Sequence, residues 1–168
     1  MPVRTFLAVL AALGLAIPSL GRAQTASPGP SLRVTGKVVK SLVLHEADLA
    51  KLPHQHLAVT DEKGHPASYD GVPVSDILRL AGVPLGKLLR GPQMKLYVVV
   101  NAADGYSVVF ALAELDPDFN ERAAILADQR DLHPIAAPEG PLRLVVPSDR
   151  RHARWVREVT ELDVEEAK

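Results

Sequence analysis

The apolar positions of this chain gather in short runs bounded by turn residues, and those runs predict most of its elements. Leu96 to Val100 is unbroken and predicts a fully buried strand. Asn101-Ala-Ala-Asp-Gly105 carries an Asp-Gly hairpin signal, and Tyr106 to Leu112 is the partner strand. Ala123 to Ala127 predicts another buried strand, as does Leu142 to Val146, which Pro147 closes. Alternation marks the rest. Leu32, Val34 and Gly36 set against Arg33, Thr35 and Lys37 predict a strand within 32–41, and Leu57 and Val59 predict one over 56–61. A turn over Glu62–Pro66 leads to a short return strand, Ala67 to Tyr69. Thr160, Leu162 and Val164 alternate with acids and predict a closing strand.

Helical spacing is rarer. Val74, Ile77, Leu78 and Ala81 share one face, which predicts a helix over 74–81 with Gly82 as its C-terminal cap. Leu49 and Leu52 predict a shorter helix over 46–52, stopped by Pro53. Ala113–Pro117 reads as a single turn and Asp128–His133 as a polar loop. Strands outnumber helices without alternating with them. The predicted fold class is therefore α+β: a compact mixed β-sheet domain with short helices over 32–164. Strands 96–100, 106–112, 123–127 and 142–147 are expected to share one buried β core, covered by the 74–81 helix.

The N-terminus breaks this pattern. Arg4 precedes an apolar run from Phe6 to Ile17, followed by Pro18 and Gly21-Arg22-Ala23. A charged start, a short apolar segment and small residues predict a secretory signal peptide over 1–23. The run is shorter than the ~20 residues of a membrane-spanning helix. Residues 24–31, polar and rich in Pro, Gly and Ser, predict a disordered leader. The mature protein is thus expected to be periplasmic or secreted, with no membrane span after cleavage. Losing Arg4 and Arg22 leaves 17 basic against 20 acidic residues, a net −3, which argues against binding nucleic acid. With aromatic residues at 4%, the core must be built mostly of Val, Leu, Ala and Ile. Cysteine is absent, which excludes thiolate nucleophiles, iron–sulfur clusters and thiolate metal ligands.

Candidate chemistry concentrates near the end of the chain. Arg150, Arg151, Arg154 and Arg157 surround His152 and Trp155. Guanidinium forks pair well with phosphate or carboxylate, although a solvated face balancing the acidic tail is the plainer reading. Arg143, between Leu142 and Leu144, points away from both, to solvent, to an acid such as Asp128 or Asp104, or to a ligand. His54 and His56 would share a strand face, but no third ligand follows at a suggestive spacing, so no metal site is predicted. Ser148, Asp149 and His152 lie too close in sequence for triad geometry.

The strand Gly140–Pro147 followed by Arg151-His-Ala-Arg-Trp155 resembles the end of the molybdopterin-binding domain of sulfite-oxidase-like oxidoreductases. Three other blocks resemble that family and keep its order: Tyr69–Gly82, Asp104-Gly-Tyr106 with its apolar run, and Ala124–Asp128. The resemblance implies a compact mixed α+β domain and molybdopterin as cofactor. It implies a place for Tyr106 in a substrate pocket and a mainly structural role beside it for Arg143. It sets Arg151, His152 and Arg154 against the pterin phosphate. It also implies a cysteine ligand to molybdenum in the loop after strand 56–61. That loop here reads Val59-Thr-Asp-Glu-Lys63, and neither Asp61 nor Glu62 is equivalent to a soft thiolate. Leu132 stands where the family's loop often has glycine. The family's exported enzymes leave the cytoplasm folded by the twin-arginine route, whereas Arg4 stands alone here. The expectation is an exported molybdopterin-binding-fold domain without a working molybdenum centre. It would bind an anionic small molecule or an exported partner protein. The alternatives are a molybdopterin-dependent oxidoreductase with an unconventional ligand set and a purely structural interaction module.

Overall fold

The structure, a computed structural model, describes residues 31–168. The predicted signal peptide and leader residues 24–30 lie outside the described residues, and Ser31 already belongs to the first strand. One sheet runs β2 (Leu42–His45), β1 (Ser31–Gly36), β10 (Val159–Glu166), β5 (Leu96–Ala102) and β6 (Ser107–Ala111). The other runs β3 (Gln55–Thr60), β4 (Pro66–Pro73), β7 (Ile125–Arg130) and β8 (His133–Pro134), with β9 (Arg143–Val145) also paired to β7. Only β1 and β10 pair in parallel among these ladders. Helix α1 (Glu46–Leu49) is short, and α2 (Val74–Leu80) is the longer of the two. The α+β expectation is met. Among the described residues no helix is long and apolar enough to cross a membrane.

The four strands expected to form one β core do so, but from two sheets: β5 and β6 lie in the first, β7 and β9 in the second. A continuous cluster joins Val98, Val100, Phe110, Ile125, Leu144 and Val145 with Ile77 and Leu78 of α2. Burying such side chains is worth about 1.5–3 kcal/mol each, so α2 is held by its apolar face rather than by its length. Gly82 follows it with φ 78°, the left-handed conformation expected just past a helix end.

Several boundaries move for physical reasons. β1 stops at Gly36, five residues short of the expected end, because Gly36 turns away with φ 84° against Val164 of β10. β4 runs to Pro73 instead of Tyr69, and β7 continues through Asp128-Gln129-Arg130, which read as loop. Those polar residues stay in the ladder because Tyr69 and Asp70 of β4 pair with Arg130 and Gln129. The strand expected over 142–147 shrinks to Arg143–Val145, although Leu142 and Val146 stay buried beside it. Tyr106 lies just before β6, with its N–H donated to Asp104 Oδ1 at 2.9 Å.

Candidate functional site

Five segments converge on one cleft. The turn between β3 and β4 supplies Glu62, and the β5–β6 turn supplies Asp104 and Tyr106. The segment entering β9 supplies Glu139, β9 itself supplies Arg143, and the 3-10 turn His152–Arg154 and its exit supply His152, Trp155 and Arg157. The cleft measures about 280 Å³ and adjoins a recess of about 110 Å³ that shares Glu62, Glu139, Arg143, His152 and Trp155.

Aromatic rings form its floor. Trp155 is anchored by Nε1–H donating to the Val146 carbonyl at 2.9 Å. It meets Tyr69 edge to face at 6.0 Å, and the His152 ring stacks on it at 3.8 Å. Tyr69 is 1% exposed, with the guanidiniums of Arg130 and Arg143 5.7 and 5.8 Å from its ring centre. Burial pushes the Tyr69 hydroxyl above its ordinary pKa, against the pull of the two guanidiniums. Tyr106 stands at the rim, 48% exposed, its hydroxyl donating to the Ala153 carbonyl at 2.8 Å. That bond ties the β5–β6 turn to the segment carrying His152.

Arg143 is 5% exposed although it sits in an apolar strand. Its partner is neither Asp128 nor Asp104. Nη1 donates to Glu139, four residues earlier, and the buried Nε meets no acceptor in the protein. Glu139 also pairs with Arg130 at 3.5 Å, and Arg130 pairs with Asp61 at 3.2 Å. An ionic chain Asp61–Arg130–Glu139–Arg143 therefore runs along the recess and into the cleft. Asp61 is held further by the backbone N–H groups of His65 and Lys63. The His65 bond is the chief reason its carboxyl sits below the ordinary range.

Of the residues singled out from sequence, the fold brings Tyr106, Arg143 and His152 into the cleft. Arg151 is exposed and does not line it. Arg154 turns away: Nε and Nη2 donate to Asp149 at 2.9 and 2.7 Å, Nη1 donates to Glu114 at 2.9 Å, and the guanidinium lies 4.4 Å from the Phe110 ring centre. The bonds to Asp149 raise its pKa further, so it stays charged throughout. With Asp149 so engaged, no triad forms with Ser148 and His152. His54 and His56 each take their own acid, Asp128 at 3.0 Å and Asp70 at 2.9 Å. Among the described residues no group of three or more potential ligands is placed to hold a metal ion. Glu62, Asp104, Glu139, Trp155 and Arg157 entered the cleft without being singled out from sequence as its lining. The spacing of Glu139 and Arg143 was the available signal for one of them.

A family profile described as the oxidoreductase molybdopterin binding domain matches residues 26–168. The chain belongs to this family. Among solved structures, the sulfane dehydrogenase SoxCD from Paracoccus pantotrophus superposes with a TM-score of 0.65 at 24% identity, over 83% of this chain and 39% of that one. That likeness bears on the fold, and this chain spans well under half of the matched protein. Comparison with curated protein sequences finds no match.

The residues present fit a molybdenum–thiolate centre poorly for this molybdopterin-binding domain. The chain has no cysteine. In the turn where the resemblance places the thiolate, Asp61 is committed to two backbone N–H groups and Arg130, leaving Glu62 as the acid that faces the cleft. A carboxylate is a hard donor, without the softness through which thiolate tunes such a metal.

Proposed function

We propose that this member of the molybdopterin-binding domain family works outside the cytoplasm as a binding domain without a molybdenum centre. It captures a small molecule bearing an anionic group in the cleft between Tyr106, Arg143 and His152. The observation carrying this reading is Arg143, a buried guanidinium lining the cleft whose Nε lacks an acceptor. Glu139 leaves this guanidinium only partly paired, and an incoming carboxylate or oxyanion would complete the pairing where Arg143 lines the cleft. The ionic chain through Glu139 and Arg130 keeps the guanidinium oriented before any ligand arrives, which reduces the ordering required on binding.

Tyr106 closes one wall through its bond to Ala153, and the stack of His152 on Trp155 makes another. The absence of cysteine and the lone Arg4 of the expected signal peptide support a domain exported without a preloaded metal. Family membership favours a second reading, a molybdopterin-dependent oxidoreductase in which an unconventional ligand such as Glu62 replaces the thiolate. Molybdopterin would supply the redox chemistry there, and Tyr106 and Arg143 would position the substrate.

Metal and pterin analysis of protein purified from its native compartment separates the two. The binding-domain reading expects molybdenum far below one per chain and a saturable titration with acetate, sulfate or phosphate. Molybdenum near one per chain, retained through gel filtration, would overturn it in favour of the oxidoreductase. Flat isotherms for all three anions would remove the anion site.

A further inference from the structure

We infer that the cleft takes a zwitterion: a compact molecule with a carboxylate and an ammonium a few bonds apart, as in an α- or short ω-amino acid. This deepens the proposal above and rests on its reading of the cleft as a small-molecule site.

The signs of the lining charges carry the inference. Arg143 and Arg157 face the cleft together with three acids, Glu62, Asp104 and Glu139. Glu139 is taken up by Arg143 and Arg130. Glu62 and Asp104 make no ion pair among the described residues, and both are exposed at the rim. The cleft is thus graded, with a buried guanidinium at one side and, among its exposed lining, two carboxylates against the single cation Arg157, which makes no ion pair among the described residues.

A purely anionic ligand seated on Arg143 would lie close to those rim carboxylates, and like charges in a partly desolvated site oppose each other. A purely cationic ligand would satisfy the rim and leave the Arg143 guanidinium with Glu139 as its ion-pair partner. A molecule carrying both charges answers both ends. Its carboxylate would pair with the Arg143 guanidinium where it lines the cleft, as planar carboxylates do with guanidinium. Its ammonium would lie toward Asp104 and the half-exposed ring of Tyr106, where carboxylate and aromatic face both attract a cation. Asp104 is suited to this because it is fixed: Oδ1 accepts the Tyr106 N–H at 2.9 Å.

Size points the same way. About 280 Å³ lies at the lower limit of small-molecule sites, which run from about 300 to 1,000 Å³. That favours a compact ligand over an extended one.

The test is calorimetric titration of the purified protein with acetate, methylammonium, glycine, β-alanine and γ-aminobutyrate. The chain's single tryptophan, Trp155, lines the cleft, so its fluorescence reports whether each probe binds there. At least one amino acid should bind about tenfold or more tightly than acetate and perturb Trp155. Asp104→Asn should remove most of that advantage, by weakening the amino acid and strengthening acetate, with the melting temperature close to wild type. Asparagine keeps the bond to the Tyr106 N–H, so folding is not at stake. Glu62→Gln is a second variant acting on the same arm. If acetate binds as tightly as every amino acid, or if neither variant changes the preference, the zwitterion inference fails while the anion site stands. If acetate and all the amino acids are silent, both fail together. A zwitterion that binds without perturbing Trp155 sits elsewhere and also overturns the inference.

Discussion

Arg154 illustrates how a residue's chemistry depends on what the fold puts beside it. Among the cations around it, it is the one whose guanidinium is gripped from two sides, by Asp149 and by Glu114. Charge-assisted hydrogen bonds are worth about 1.5–3 kcal/mol each in protected settings, but this side chain is a third exposed and water screens it. Arg154→Ala is expected to lower unfolding stability by about 2 kcal/mol in urea titrations while leaving acetate and phosphate isotherms unchanged. Lysine should not rescue it, since an ammonium cannot make the two parallel bonds to Asp149. Unchanged stability with lost phosphate binding would instead return Arg154 to the anion site. His54 gives a pH-dependent counterpart. Burial disfavours its charged ring, but the bond to Asp128, helped by the Leu52 carbonyl and the charge of Asp70, outweighs burial and raises its pKa above 6.5. The folded state therefore holds this proton more tightly than the unfolded chain does. The resulting stabilisation is fully present below the unfolded value and is lost as pH rises through the folded one. His54→Gln should cost clearly more stability near about pH 5 than near about pH 9, as read by thermal melts in matched buffers.

At the scale of elements, the contact of β4 with β7 decides where the ionic chain sits. Asp70 pairs with Gln129 and Gly71 with Ala127, so Asp128 is an extra residue, a bulge in β7. The bulge leaves Asp128 beside His54 while Arg130, farther along β7, reaches Asp61 and Glu139. Gly71 permits the close approach. A Cβ there would overlap the Leu126 carbonyl and the Ala127 Cα of β7. Backbone on both sides cannot yield as a flexible side chain would. Gly71→Ala is expected to destabilise by about 1–3 kcal/mol or more and to lower the melting temperature accordingly. A silent Gly71→Ala would mean that the two strands lie farther apart than described.

For the whole molecule, two sheets share one apolar core with α2 packed into it. The parallel pairing of β1 with β10 brings the beginning and end of the described chain into the same ladder. Such a domain should unfold as one unit. Trp155 fluorescence, reporting the second sheet and the cleft, and far-ultraviolet circular dichroism, reporting both sheets, are expected to give coincident urea midpoints. Separate midpoints would show that the sheets are independent units and that the cleft can open without global unfolding.

The apolar strands, the α2 face, the α+β class, the family and the lack of any thiolate were legible in the residues alone. Each of these is a local or compositional property: side-chain period, turn chemistry, motif order, residue inventory. Which acid meets which arginine depended on the folded chain. Arg143 was open to Asp128 or Asp104 and took Glu139, Arg154 took Asp149 and Glu114, and the two neighbouring histidines took different aspartates. Hydrophobic periodicity specifies which side of a strand is buried and carries no information about charge pairing. Pairing depends on distances of a few ångströms between residues far apart in sequence, such as Tyr106 with Ala153 and Arg130 with Asp61, and closure of the core sets those distances.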